Sequence, residues 1–166
     1  MKAISLFVIC ALMLSCAATK DSGNSTVSNS PIIIKAMDKK VKTNLLKANY
    51  GWGKEVPILA TSPKSKADSK WFVEFPVVID EPGDYQFEIS LSAKKVIPFD
   101  VSINDKNIFS ALSLQNGKIG GTTASNFVVG VVQLVKGENN IKIKNDKSGR
   151  APHITQFSFT NTKTSK

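Results

Sequence analysis

The stretch KWFVEFPVVIDEPGDYQFEISLSA, residues 70–93, contains two runs in which apolar and polar side chains alternate. Such alternation is typical of a β-strand with one buried face, because successive side chains point to opposite sides of a sheet. Between the runs lies an acidic Pro-Gly segment, residues 80–84, with the composition of a turn. The stretch therefore predicts two adjacent strands joined by a short turn, as in a β-hairpin.

Similar alternation recurs along the rest of the chain, with turn-like segments between the runs. The predicted strands are 71–78, 85–92, 97–104, 107–111, 127–134, 140–145 and 153–160. The β-branched run at residues 31–37 precedes them, residues 38–55 are predicted to be mostly loop with weak helical periodicity over 41–48, and residues 60–69 to be a polar connector. Short strands at this spacing predict an all-β fold, an antiparallel β-sandwich of jelly-roll type with about eight to nine strands.

The first residues have the layout of a bacterial export signal: Lys2, an apolar run, then small residues. MLSC, ending at Cys16, resembles a lipoprotein cleavage site, so we expect a signal peptide over residues 1–15 and a lipidated Cys16. The alternative is a plain secretory signal cut near Ala18. Residues 16–30 predict a disordered tether, residues 31–162 the β-sandwich domain, and residues 163–166 a tail. Both cysteines lie in the signal region, so no disulfide is expected in the mature chain.

The net charge is +9, from 22 basic and 13 acidic residues. Arg150 is the only arginine, and the lysines are scattered singly or in pairs. Proteins that read nucleic acids favour arginine for bidentate contacts, so no nucleic-acid partner is expected. A lysine-rich surface is compatible with weak attraction to anionic lipid or to an acidic polysaccharide.

Residues for catalysis are scarce, and we expect no enzymatic activity. The sequence has one histidine, His153, and no cysteine beyond the signal region, which excludes Cys–His catalysis and thiolate zinc sites in the domain. Glu74 and Glu88 lie on the outer faces of two adjacent predicted strands, where carboxylates usually form cross-strand ion pairs. The glycine-rich GKIGG, residues 117–121, lacks the context of a phosphate loop and is predicted to be flexible.

Loop aromatics are the stronger signal for binding. Tyr50 and Trp52 lie in NYGWGK, a glycine-flanked segment without strand alternation. Large rings in such a loop either close the end of the core or face a ligand, and sugar rings stack on aromatic side chains. Both roles are open for Trp52, whereas Trp71 begins an alternating strand and is predicted to lie in the core.

The sequence also resembles the family-6 and family-35 carbohydrate-binding modules, which are galactose-binding-like β-sandwiches. The resemblance covers about 130 residues and is mainly a matter of framework positions. It rests on the opening stretch at 70–93, FDVSINDKNIF at 99–109, NFVVGVVQLVKGENNIKIKN at 126–145, APHITQFSFT at 151–160 and IIIKAMDKK at 32–40.

The resemblance implies binding of a sugar by loops at one end of the sandwich. By alignment with these modules, Tyr50 or Trp52 supplies an aromatic of the sugar site, and His153 lies near a position where the family has an asparagine. Beside these we expect polar contacts to the sugar from Asn49, Lys54 and Arg150. The resemblance also implies a structural calcium with Asp38 as one ligand, although Thr155 stands where the family has an aspartate. No other cofactor is expected.

The sequence therefore predicts a non-catalytic carbohydrate-binding module, exported and lipid-anchored to the bacterial cell envelope at the outer membrane or surface. Its expected partners are a polysaccharide, for which the lysine excess favours an acidic polymer, the membrane through Cys16, and a glycan-degrading enzyme. The alternative function is an envelope lipoprotein whose sandwich binds a protein or has a structural role. The alternative location is secreted or periplasmic.

Overall fold

The computed structural model describes residues 30–49, 56–61, 70–95, 97–147 and 149–163. This part of the chain forms eleven β-strands and one short 3-10 helix, Gly121–Thr123, and contains no helix long and apolar enough to cross a membrane. The strands are β1 Ile32–Lys35, β2 Lys42–Thr43, β3 Leu46–Asn49, β4 Pro57–Ala60, β5 Trp71–Ile79, β6 Gly83–Ser92, β7 Phe99–Ile103, β8 Lys106–Leu112, β9 Ser125–Leu134, β10 Gly137–Asn145 and β11 His153–Asn161. The all-β prediction is confirmed.

The strands form two antiparallel sheets. In the first sheet the order is β3-β4-β11-β6-β9, and β1 also pairs with β11; in the second the order is β2-β5-β10-β7-β8. Strands that are far apart in the sequence pair around strands that are close together: β7 pairs with β8, β6 with β9 and β5 with β10. This is the strand order of a long hairpin rolled into a sandwich, so the jelly-roll prediction is confirmed.

The opening stretch is not a β-hairpin. β5 pairs with β2 and β10 in the second sheet, whereas β6 pairs with β9 and β11 in the first. The intervening turn therefore carries the chain across the sandwich, and the Tyr85 hydroxyl donates a hydrogen bond of 2.8 Å to the Glu81 carbonyl beside it. Alternation predicts which side chains face the core. It does not show whether two consecutive strands pair in one sheet or lie in opposite sheets, because the same side chains are buried in both cases.

Aromatic side chains from the two sheets meet in the core. Phe75 stacks on Phe157 with ring centroids 4.5 Å apart, and Phe87 stacks on Phe159 at 4.7 Å. Trp71 is 3% exposed and lies against Phe99, so its predicted core position is confirmed. Each such side chain contributes about 1.5–3 kcal/mol on burial, which stabilises the described fold without a disulfide.

The segment predicted to be mostly loop contains β2 and β3, and the weak helical periodicity over 41–48 was misleading. Side chains tie this segment to the edge of β5: Asn44 accepts a hydrogen bond from the Phe72 amide and donates one to the Lys70 carbonyl, both 3.0 Å. The Thr43 hydroxyl donates to the Phe72 carbonyl. These long-range bonds hold β2 and β3 in place. With β4, these strands bring the described total to eleven, above the predicted eight to nine.

Candidate functional site

A recess of about 530 Å³ lies at the end of the sandwich where β6 ends and β11 begins. We call it the loop-end recess. Its walls come from the segments that follow β6, precede the 3-10 helix and follow β10. The lining includes three exposed cations and three apolar residues: Lys94, Lys95, Arg150, Ile97, Ile119 and Ala151.

Hydrogen bonds hold the wall that carries Ile119. The buried Ser92 hydroxyl donates to the Gly120 carbonyl at 2.8 Å. Asn116 accepts a bond from the Ala93 amide at 3.2 Å and donates one to the Thr123 carbonyl at 2.7 Å. The segment GKIGG, predicted to be flexible, is therefore anchored on both sides of Ile119: Gly120 is bonded to Ser92 of β6, and Asn116, just before the segment, to Ala93, just after β6.

The opposite wall is also tied down. The Ala151 amide donates a hydrogen bond of 2.6 Å to the Thr61 hydroxyl, which follows β4. On the side of the 3-10 helix, a Cβ atom added to Gly121 would lie 2.7 Å from the Cβ of Val56. Glycine is therefore required at position 121, because a side chain there would force the two segments apart.

The electrostatics of the loop-end recess favour an anion. None of the described residues that line it is acidic. His153 is half-buried at the start of β11, and burial lowers the pKa of its imidazole below the ordinary value, which favours the neutral ring. The positive charge of the recess therefore comes from Lys94, Lys95 and Arg150, whose side chains also leave apolar surface for the face of a bound molecule.

A second concave surface lies on the outer face of the second sheet. We call it the sheet trough. It consists of two recesses, of about 530 and 440 Å³, that share Glu74. Lys142 lies directly opposite Glu74 and forms an ion pair with it at 3.3 Å, which confirms the prediction that this outward carboxylate pairs across strands.

Two of the predicted ligand-binding residues meet in the loop-end recess, namely Arg150 and His153. Asn49 is exposed at the end of β3 and is not among the described residues that line the recess. Tyr50, Trp52 and Lys54 lie outside the described residues. The same holds for the signal region, the tether and Cys16, so the predictions made for them stay predictions.

The structure gives no support for a calcium site at Asp38. Its carboxylate accepts a hydrogen bond of 2.9 Å from the Lys40 amide, and the Lys47 ammonium donates to its carbonyl at 3.0 Å. Thr155, at the other predicted position, donates its hydroxyl to the Ser90 carbonyl. No group of three or more His, Cys, Asp or Glu side chains suited to a metal ion occurs within the described ranges.

Glu74 and Glu88 do not form a catalytic pair, and they do not lie on adjacent strands. Glu74 projects from β5 onto the outer face of the second sheet, and Glu88 from β6 onto the outer face of the first. The core of the sandwich separates the two carboxylates. Glycoside hydrolysis needs two carboxyl groups about 5–10 Å apart, so this pair cannot perform it.

Sequence reasoning missed Lys94, Lys95 and Ile119 as residues of the recess. A usable signal was present, because Lys94 and Lys95 directly follow the second run of the opening stretch, at the end of the sheet where the final strand begins. Ile97 was predicted to open a strand, but β7 begins at Phe99, and Ile97 instead lines the recess.

Comparisons with known proteins identify the fold. No protein-family model matches the sequence, and no curated protein matches it. Among solved structures, a family 35 carbohydrate-binding module from Clostridium thermocellum matches with a TM-score of 0.60 and 17% identity, covering 80% of this chain and 98% of that one. A family 35 module from Paenibacillus barcinonensis matches with a TM-score of 0.62 and 11% identity, covering 79% and 99%.

A larger protein contains the same fold as one of its parts. The GH26-CBM35 β-(1,4)-mannanase from Podospora anserina matches with a TM-score of 0.61 and 17% identity, covering 83% of this chain and 29% of that one. At these identities the likeness concerns the fold, and it agrees with the resemblance found in the sequence. The chain has the β-sandwich fold of the family 35 carbohydrate-binding modules.

Proposed function

We propose that this protein is a non-catalytic carbohydrate-binding module that binds an acidic polysaccharide in the loop-end recess. The observation that carries the proposal is the charge of the recess: Lys94, Lys95 and Arg150 converge there, and no described lining residue is acidic. The matched structures are themselves described as carbohydrate-binding modules, which supports binding rather than catalysis as the role of this fold.

The recess has the two surfaces that an acidic sugar requires. A carboxylate on the sugar accepts charge-assisted hydrogen bonds from Arg150 and the two lysines. The less polar face of the ring lies against Ile97 and Ile119. Both walls are held by hydrogen bonds within the protein, so little ordering is needed on binding. The proposal also includes stacking of the sugar on Trp52 or Tyr50, two residues that lie outside the described part of the chain.

A glycan array tests the proposal. The full chain should retain uronic-acid polymers more strongly than matched neutral polymers. Because a hydrogen bond to a charged group contributes about 1.5–3 kcal/mol, Arg150→Ala should weaken binding by about tenfold or more. Lys106→Ala removes a lysine at the other end of the sandwich and is the matched control. Equal losses in both variants, or no preference for acidic polymers, would show that the recess is not the site.

The cell-envelope part of the proposal concerns the beginning of the chain. We infer that Cys16 is lipidated and that residues 16–30 tether the domain, which would hold a polysaccharide near the cell surface for a glycan-degrading enzyme. Expression of the full chain and of Cys16→Ser in a bacterium, followed by membrane fractionation, tests this. Lipidation predicts that wild type is retained in the membrane fraction and that the variant is released.

A protein partner is the second candidate function. Two outward valines of the edge strand β9 favour it, because Val128 is 59% and Val131 56% exposed, and exposed apolar side chains on an edge strand can dock another protein. Val128→Asp should then abolish capture of an envelope protein in a crosslinking experiment while leaving the array profile unchanged.

A further inference from the structure

The strand β9 forms an open sheet edge without the usual protection against pairing. Within the described residues it pairs with β6 alone, and it is ten residues long. From Ser125 to Val135 the sequence is rich in valine and contains no charged residue and no proline. Proteins usually protect their edge strands with lysine, proline or a short length, because an uncharged β-branched edge can pair with another strand. β9 is therefore suited to accept a further strand.

The other described strands at open edges differ from β9 in this respect. They are two to seven residues long, and each carries a lysine, namely Lys35 in β1, Lys42 in β2, Lys47 in β3 and Lys106 in β8. Where β5 extends beyond its pairing with β2, it contains Pro76, which has no amide hydrogen to donate. Among the edges that the structure describes, β9 is thus the one that combines length with lack of charge.

The apolar surface beside this edge is only one strand wide. Val128 is 59% and Val131 56% exposed on the outer face of the first sheet. The residues directly opposite them on β6 are Glu88 and Gln86, whose side chains form a hydrogen bond of 2.7 Å with each other. Because the next strand is polar, the two valines are better placed to contact a strand that pairs with the edge than a partner that covers the face.

The sequence of β9 is self-complementary about its centre. Val129 is an extra residue in the pairing with β6, so a β-bulge divides the strand there. The order of residues on the two sides of the bulge is mirrored: Asn126, Phe127 and Val128 precede it, and Val131, Val132 and Gln133 follow Gly130. In each half an exposed valine lies next to the bulge and an exposed amide lies two residues further away. A second copy that runs in the antiparallel direction therefore presents the same pattern.

We propose that a second copy of this chain pairs with the open edge of β9, antiparallel and about a two-fold axis at the bulge, so that the first sheets of the two copies join into one. In this register Val128 of one copy lies opposite Val131 of the other, which is a favourable β-branched pair. Asn126 lies opposite Gln133, and their amides can exchange hydrogen bonds. Each pair occurs twice, as in any two-fold interface.

Charge favours this edge over the rest of the surface for contact between two copies. The chain has a net charge of +9, so two copies repel each other, and an edge that carried lysine would bring like charges together across the axis. The uncharged β9 avoids this. The interface does not depend on sugar binding, and it identifies the partner in the second candidate function as another copy of this chain.

The proposed interface is small, and the dimer should be reversible. One strand from each copy is at the low end of specific interfaces in area, so we expect dimers to form at about 10–100 μM protein. Because both copies are positively charged, salt screens their repulsion and should strengthen the dimer. Binding of an acidic glycan in the loop-end recess should respond to salt in the opposite direction.

Sedimentation velocity of the full chain over a range of concentrations tests the proposal. Val131→Lys should weaken the dimer by about tenfold or more, because it places an ammonium group against the other copy twice in each dimer. Val78→Lys is the matched control: it adds the same charge at a valine that is 58% exposed on β5, and it should leave the dimer unchanged. All variants keep residues 1–30, so association through that part of the chain would not differ between them.

A second set of substitutions tests the register. Asn126→Glu combined with Gln133→Lys in one chain should dimerise about threefold or more tightly than either substitution alone, because the new carboxylate of each copy then faces the new ammonium group of the other. The two positions are roughly 20 Å apart along one strand, so they cannot form an ion pair within one copy. Thermal unfolding checks that each variant is folded.

The outcomes separate this proposal from the proposed function. A full chain that stays monomeric at the highest concentration, equal dimerisation of Val131→Lys and Val78→Lys, or no gain in the double variant would overturn the interface. Capture of a different protein by an otherwise monomeric chain would overturn it in favour of that protein. Val131→Lys should retain wild-type binding to acidic polymers on the glycan array, so a failure of the recess gives a different result.

Discussion

The loop-end recess, of about 530 Å³, and the sheet trough, which comprises recesses of about 530 and 440 Å³, differ in how their charged side chains are arranged. In the recess the cations come from segments far apart in the sequence, and none of them forms an ion pair with a described residue. In the trough Lys142 and Lys144 project from β10 and form ion pairs with Glu74 and Asp146. Four more lysines line its two recesses, namely Lys39, Lys40, Lys42 and Lys70. The difference makes the recess the surface that is better suited to an anion.

The two surfaces also differ in how they are built. The trough is a direct product of strand alternation, because every second residue of β5 and β10 faces outward. The recess depends on hydrogen bonds between loops, such as that from Ser92 to Gly120. Changes in the core should therefore affect both surfaces, and changes in the loops should affect the recess alone.

The largest effect is expected for Phe75→Ala. Phe75 is fully buried and packs on Phe157 and Phe159, so its loss should destabilise the protein by about 3–5 kcal/mol and weaken both surfaces. Phe72→Ala, on the outward side of the same strand, should cost much less. Urea denaturation of both variants measures the difference, and equal losses would show that the inward and outward faces have been assigned incorrectly.

Gly121→Ala should damage the recess selectively. The added Cβ would lie 2.7 Å from Val56 and 2.8 Å from Ile58, and overpacking of this kind costs about 1–3 kcal/mol. Binding of an acidic glycan should fall with it, while the trough keeps its geometry. Gly83→Ala is the matched control, because its nearest neighbour is the Lys163 side chain at an ordinary 3.5 Å. Equal stability of the two variants in thermal unfolding would argue against the close packing at Gly121.

Glu74→Gln should have a smaller effect, confined to the trough. The hydrogen bond from Asn140 and then the contacts with Lys142 hold the pKa of Glu74 below its ordinary value. The ionised carboxylate thus stabilises the fold above the ordinary pKa of about 4.3, and this contribution is lost as the pH falls through the lowered pKa. Because the pair is solvent-accessible, we expect less than about 1 kcal/mol. Urea titrations at neutral and acid pH measure it, with Asp80→Asn as control; a difference that persists at acid pH would contradict the assignment.

The smallest effect is expected from His153, in the recess. Because burial lowers the pKa of His153 in the folded protein, its imidazole takes up a proton at a higher pH in the unfolded chain than in the folded one. Stability should therefore be greatest above the ordinary pKa of about 6.5 and decline through the lowered pKa. His153→Gln should flatten this decline, whereas Lys106→Gln should not. A pH series of thermal unfolding checks it, and an unchanged slope in His153→Gln would show that the histidine does not contribute.

The trough could be foreseen from the sequence more fully than the recess. Alternation in β5, β6 and β10 correctly predicted the inward faces and the outward position of Glu74. It could not show that β5 and β6 lie in different sheets, because both arrangements bury the same residues. The recess brings together Lys94, Ile119 and Arg150, which are distant along the chain. Only the pairing of the strands places them at one end.

The short strands β2 and β3 escaped prediction for a related reason. Their local sequence is rich in lysine and lacks clear alternation, and they are held by contacts with a distant strand, such as those of Asn44 with Lys70 and Phe72. The pattern of apolar and polar residues within a short segment does not indicate contacts with a distant strand. The same limit applies to the arrangement of cations that defines the recess.

The central claim, that the loop-end recess binds an acidic glycan, is tested most directly by nuclear magnetic resonance. The isotopically labelled full chain would be titrated with a uronic-acid oligosaccharide at low and at high salt. The account predicts shifts in the backbone amides of Lys95, Ile119 and Ala151 that diminish as salt screens the charges. Shifts confined to the sheet trough, or none in the recess at low salt, would contradict it.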